Sequence, residues 1–239
     1  MSQAIIIPER FNGPLDSANG GYVCGVVSAM IEGDAEVTLR SPPPLETPLQ
    51  VERGADGSVE ILDDDTLVAT GRSITFDPPV LPAIPSWDQA AAASQHYLGH
   101  ERHEYATCFS CGPERDDGLG IFPGPTEMES VAATWIPDGS LPNRDGILPT
   151  PIVWAALDCP GAWATVRNLT KGQIVLGRMA AVVSQPIEIG RRYVAIAWSL
   201  ATQGRKSFAA TAIIDDTGEV VGSARQTWIS LDRGEPQAG

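Results

Sequence analysis

The stretch from Gly146 to Gly161 (Gly-Ile-Leu-Pro-Thr-Pro-Ile-Val-Trp-Ala-Ala-Leu-Asp-Cys-Pro-Gly) narrows the possible folds more than any other part of this chain. Thr150 suits a helix N-cap, and Pro151 suits the first helical position, where a missing N–H costs nothing. From Ile152 to Leu157 every side chain is apolar. A helix with no polar face must be enclosed by the rest of the protein, and so short an apolar run cannot span a membrane. Asp158 then stands alone, with no basic residue three or four positions away. Desolvation would raise the pKa of such a carboxyl and make it a candidate general base. The competing reading is a cap on a second helical segment, beyond a break imposed by Pro160.

A chain of 239 residues, 43% of them hydrophobic, has material for one large domain or two of about 120 residues each. Its net charge of −14 argues against nucleic acid and anionic membranes as partners, since both demand basic surface. Of its 16 basic residues only two are lysines, and nine fall after Gly161, so any rim for a polyanionic ligand is expected in the C-terminal half. No segment has the charged start, apolar run and small-residue cleavage site of a signal peptide. Four cysteines do not make a disulfide scaffold, and a cytoplasmic protein is expected.

Residues 1–80 read as one unit and 108–239 as another, with a proline-rich linker over 81–107 in which Trp87–Tyr97 suggests a short helix. In the first unit, Ser17-Ala18-Asn19-Gly20-Gly21 leads into the second nearly all-apolar helix, from Tyr22 to Ile31. Strands are expected at Ala35–Arg40, Leu49–Glu52, Ser58–Leu62 and Leu67–Phe76, with Ile5–Ile7 opening the chain. In the second unit they are expected at Val131–Trp135, Gln173–Val183, Tyr193–Leu200, Ser207–Asp215 and Val220–Leu231. The halves rhyme. Each passes from a buried helix to a strand ending near Ser and Pro, then to a hairpin turning on acids (Asp63-Asp64-Asp65, Asp215-Asp216). A repeat of this length points to duplication of a whole domain, and the greasy helices point to antiparallel sheets wrapped around them.

These residues resemble a double-hotdog acyl-CoA thioesterase, an α+β fold of two antiparallel sheets each wrapped around a central helix, and the resemblance covers nearly the whole chain. Cys108-Phe109-Ser110-Cys111-Gly112-Pro113, followed by Asp117-Gly118-Leu119-Gly120-Ile121, is similar to the opening of many thioesterase-like hotdog proteins. Ala155-Ala156-Leu157-Asp158 looks like the acid-bearing central helix, and Gly222-Ser223-Ala224-Arg225-Gln226 like the last strand of the type II acyl-CoA thioesterases. The resemblance implies that an Asp, a Ser or Thr, and a Gln hold and activate water, and Asp158 and Gln226 match two of these. The hydroxyl should lie on the strand after the helix, but Gln173–Arg178 has none; Thr170 and Ser184 are the nearest in sequence. The family's His-Gly-Gly opening of the second helix is replaced by Pro149-Thr150-Pro151. The first helix keeps the glycines but has Ser28 at the acid position.

Thioester hydrolysis needs a base for water and donors for the developing oxyanion. Asp158 fits the base and Gln226 the group orienting water. The first-turn N–H groups of Gly20, Gly21 and Tyr22, behind Asn19, fit the thioester oxygen at a helix N-terminus. Arg191, Arg192, Arg205 and Lys206 are candidates for a basic rim, against ordinary solvation of turns and strand ends. The resemblance implies an acyl-CoA or related thioester as partner and a homodimer or higher homo-oligomer, because hotdog sheets pair edge to edge. Neither central helix carries a His, which disfavours the hotdog hydratases; a non-catalytic acyl-CoA binder is the alternative. His96, His100, His103, Cys108 and Cys111 share one window and could supply zinc ligands, but a single CxxC without a second pair is weak. The expectation is no cofactor and no metal, with Cys108 and Cys111 shaping a turn.

Overall fold

A computed structural model describes residues 3–166 and 173–231. The first half contains β1 (Gln3–Ile5), α1 (Gly20–Ser28), β2 (Ala35–Leu39), β3 (Leu49–Arg53), β4 (Val59–Asp63) and β5 (Thr66–Ser73). A connecting helix, α2 (Trp87–Ser94), starts with a reciprocal cap between Ser86 and Gln89. The second half contains β6 (Gly124–Pro125), β7 (Ser130–Trp135), α3 (Thr150–Val166), β8 (Ile174–Val183), β9 (Tyr193–Gln203), β10 (Lys206–Asp215) and β11 (Val220–Ser230).

Strand composition explains which face turns inward. In β3, Leu49 and Val51 are buried while Gln50 and Glu52 face out, and Val59 and Ile61 alternate in the same way in β4. The acid clusters make hairpin turns as expected: Asp64 takes φ 49° between β4 and β5. Between β10 and β11, Asp215 Oδ1 accepts from the N–H groups of Thr217 and Glu219.

The two sheets expected from the resemblance form one continuous antiparallel sheet of 11 strands, ordered β1-β3-β4-β5-β2-β8-β11-β10-β9-β7-β6. Residues 35–38 of β2 pair antiparallel with residues 178–181 of β8, so each unit covers an edge of the other. Unpaired edges invite foreign strands, and this junction removes two of them.

Both central helices lie against this sheet and against each other. A Cβ on Gly21 would stand 2.4 Å from Asp158 Cβ, and one on Gly25 would stand 2.6 Å from Pro151 Cα. The helices therefore run antiparallel at a distance that only glycine permits. Residues 152–161 of α3 are buried on every side, as their composition requires.

Two local expectations are corrected. Helix α3 begins at Thr150 itself, and the Pro149 carbonyl accepts from Ile152 and Val153 N–H, so Pro149 fills the cap position through its main chain. Nor does Pro160 break the helix, which runs on to Val166. A proline there removes one N–H and crowds the carbonyl a turn before it. The carbonyls of Leu157 and Asp158 in the same turn are also held from the sheet, by the Gln226 amide at 2.5 and 3.1 Å. Asp158 consequently sits in mid-helix and caps no second segment beyond Pro160.

Candidate active site

Asp158 is 2% exposed and meets the first turn of α1. Its Oδ2 accepts from the Gly21 N–H at 2.9 Å, while Oδ1 is buried with no hydrogen-bond partner among the described residues. Burial pushes its pKa up to about 7, against the pull of the Gly21 N–H. Native proteins rarely leave a buried carboxylate oxygen unpaired, and such an orphan marks a place where a ligand or water belongs.

That place adjoins a cavity of about 1020 Å³. Asp158 and Cys159 of α3, Asn19 and Gly20 at the start of α1, Leu39 of β2, Leu176 of β8 and Trp228 of β11 line it. Its size suits a small-molecule ligand rather than a single trapped water. Asn19 holds the turn that faces Asp158: its Oδ1 accepts from Tyr22 N–H at 2.8 Å, and its main-chain carbonyl accepts from Val23 N–H at 3.1 Å. The Gly20 N–H at the head of α1 has no partner among the described residues.

No protein-family model matches the chain, and no curated protein matches it. Solved structures do. The TesB protein of Mycobacterium avium subsp. paratuberculosis is 15% identical with a TM-score of 0.58, covering 90% of this chain and 88% of that one. The acyl-CoA thioesterase II TesB2 of Mycobacterium marinum is 15% identical at a TM-score of 0.57, over 84% and 80% of the two chains. A hot dog protein of unknown function from Alicyclobacillus acidocaldarius covers 97% of this chain and 93% of its own, at 8% identity and a TM-score of 0.56. The chain is a double hotdog.

Within this double hotdog the anticipated site residues separate into groups. Asn19, Gly20 and Asp158 share the cavity wall, with Gly21 directly behind Asp158. The Gly21 N–H is committed to the carboxylate and the Tyr22 N–H to Asn19, because both lie in the first turn that packs on α3. Only Gly20 of the three keeps a free donor there. The Tyr22 ring stacks on Phe11, 3.9 Å between centroids.

Gln226 is 3% exposed and is not on the cavity wall. Its amide nitrogen donates to the two α3 carbonyls, and its Oε1 accepts from Thr211 Oγ1 at 3.4 Å and Trp228 Nε1 at 3.3 Å. Gly161 makes this possible, since a Cβ there would lie 1.6 Å from Gln226 Oε1. The amide thus braces the helix turn bearing Asp158 rather than meeting its carboxylate. Thr211 of β10 is the hydroxyl beside Gln226, and it comes from a different strand than the one after the helix, where the resemblance implies a hydroxyl. Ser184 donates to the Val220 carbonyl, and Thr170 lies outside the described residues.

The basic residues expected at the rim stand elsewhere. Arg191 is tied to Asp215 and Asp216 at 2.8 and 2.7 Å, and Arg192 lies 5.0 Å from the Trp87 ring centroid. Arg205 and Lys206 line a separate hollow of about 410 Å³. The cations bordering the main cavity are Arg40 and Arg102, from the strand end and the loop that face it.

Three further side chains converge beside Asp158. Sγ atoms of Cys108, Cys111 and Cys159 lie within 4.8 Å of one another, and all three residues are buried. They are the only set of three or more metal-ligating side chains so grouped among the described residues. Cys159 directly follows Asp158 in the sequence, yet nothing in its local pattern ties it to a turn 51 residues earlier.

Proposed function

We propose that this double hotdog hydrolyses an acyl thioester, with Asp158 as the general base. The observation that carries this reading is the divided carboxylate: Oδ2 is fixed by the Gly21 N–H, while Oδ1 is buried and free beside a cavity large enough for substrate. A base must be held in one orientation and keep a lone pair for the proton it removes. In the proposed step, Asp158 Oδ1 takes a proton from water as the water oxygen attacks the thioester carbon. The carbonyl oxygen gathers negative charge, and the unpaired Gly20 N–H at the helix start is the proposed donor to it. Collapse of the adduct breaks the carbon–sulfur bond, and the thiolate leaves with the proton held by Asp158. Acyl-CoA is the proposed thioester, by analogy with the M. marinum acyl-CoA thioesterase II. Arg40 and Arg102 are proposed to meet its charged portion.

Gln226 takes a positioning role in this scheme. By gripping the Leu157 and Asp158 carbonyls it sets the helix turn from which the carboxylate projects.

The test is thiol release from a panel of acyl-CoAs by the natural chain and by Asp158→Asn. The proposal expects turnover by the natural chain and a loss of about 10²- to 10⁴-fold in the variant, the usual worth of a general base. One observation favours a second reading. With its amide committed to main-chain groups, Gln226 does not stand on the cavity wall beside Asp158, which suits an acyl-CoA binding protein. Acyl-CoA binding without hydrolysis in either protein would establish that alternative.

A further inference from the structure

The cysteine cluster next to the cavity has the dimensions of a metal centre. Cys108 Sγ and Cys159 Sγ are 3.6 Å apart. A disulfide requires about 2.05 Å. Two thiolates on one tetrahedral zinc, each with a bond of about 2.3 Å, stand about 3.8 Å apart. One pair at this spacing, with the third buried sulfur within 4.8 Å of both, matches shared ligation better than a bridge.

The surroundings are built for negatively charged sulfur. Asn19 Nδ2 donates to Cys108 Sγ at 3.7 Å and to Cys159 Sγ at 3.8 Å. His103 Nε2 lies 3.3 Å from Cys111 Sγ. Tyr105 N–H donates to His103 Nδ1 at 2.9 Å, which assigns the imidazole proton to Nε2 and makes that nitrogen a donor to sulfur. Neutral thiols need no such set of donors, whereas metal-bound thiolates are normally hydrogen-bonded from a second layer. Tyr97, Phe122 and Trp163 pack around the group.

We propose that Cys108, Cys111 and Cys159 bind one zinc ion as three thiolates, with Asn19 and His103 donating hydrogen bonds to the sulfurs. Zinc suits a buried set of soft ligands with no demand for redox chemistry. The fourth tetrahedral position belongs to a small ligand from the cavity, on whose wall all three cysteines stand. The centre would fasten the 97–123 loop to α3 one residue from Asp158. This proposal departs from the expectation of a metal-free turn. The CxxC does shape a turn, through Gly112 N–H to Cys108 carbonyl at 2.8 Å, but its missing partner comes from the central helix.

The test uses the whole chain, reduced and stripped of metal, titrated with zinc against a chromophoric chelator and separately with cobalt. One zinc per chain and near-ultraviolet thiolate-to-cobalt bands are expected. Cys111→Ser and Cys159→Ser should each lose stoichiometric binding, while Cys24→Ser, a buried cysteine outside the cluster, should keep it. Absence of thiolate-to-cobalt bands in the natural chain would overturn the site, and that measurement does not depend on whether a variant folds. Undiminished zinc in Cys159→Ser would overturn it too. His103→Gln should retain one zinc per chain; loss of zinc in that variant would overturn the three-thiolate set and make His103 a ligand. All of these readouts follow metal rather than turnover, so they stand apart from the thioesterase reading.

Discussion

The chemistry turns on a carboxylate whose two oxygens live differently. Gly21 makes this possible in two ways, by donating its N–H to Oδ2 and by having no side chain where α1 meets α3. A Cβ there would also stand 2.7 Å from the Trp154 carbonyl, a backbone atom that cannot simply swing aside. Gly21→Ala is therefore expected to lower stability by about 1–3 kcal/mol, read as a fall in urea midpoint at unchanged slope. A midpoint equal to the natural chain's would contradict this packing. Gln226 is predicted to act through Asp158 rather than on substrate. Gln226→Ala should lower kcat with little change in KM, because it loosens the helix turn and removes no substrate contact. A raised KM at unchanged kcat would instead place Gln226 in substrate binding.

At the scale of elements, β2 and β8 carry the junction between the halves. Val37 lies at its centre, fully buried and paired with Met179 on one side and Gly71 on the other. Val37→Pro would remove a ladder N–H and should cost about 3 kcal/mol or more, visible in thermal unfolding. Full retention of stability would argue against the continuous sheet. Most elements were legible in the sequence because their signals are local. Alternation marks β3 and β4, acid turns bound β5 and β10, and α3 has no polar face. The behaviour of Pro160 was not legible. A proline reads as a break from its neighbours alone, and the side chain that braces the turn before it, Gln226, lies 66 positions further along the chain.

Taken as a whole molecule, the double hotdog could be anticipated from the rhyme between halves, but the convergence on one cavity could not. Asp158 meets Gly21 across 137 positions, and Asn19 meets Cys159 across 140. No spacing rule spans such distances, which is why the sequence ties neither Cys159 to the CxxC nor Thr211 to Gln226. The acid lies in the middle of one helix and the glycine at the start of another, and only their antiparallel packing unites them. The central claim is that Asp158 activates water instead of attacking the thioester itself. A single turnover of acyl-CoA in ¹⁸O-labelled water, with excess enzyme and mass analysis of the released acid, tests it most directly. Water activation predicts one ¹⁸O in the acid formed during that first turnover. An unlabelled acid, with ¹⁸O left in the peptide that contains Asp158, would contradict it.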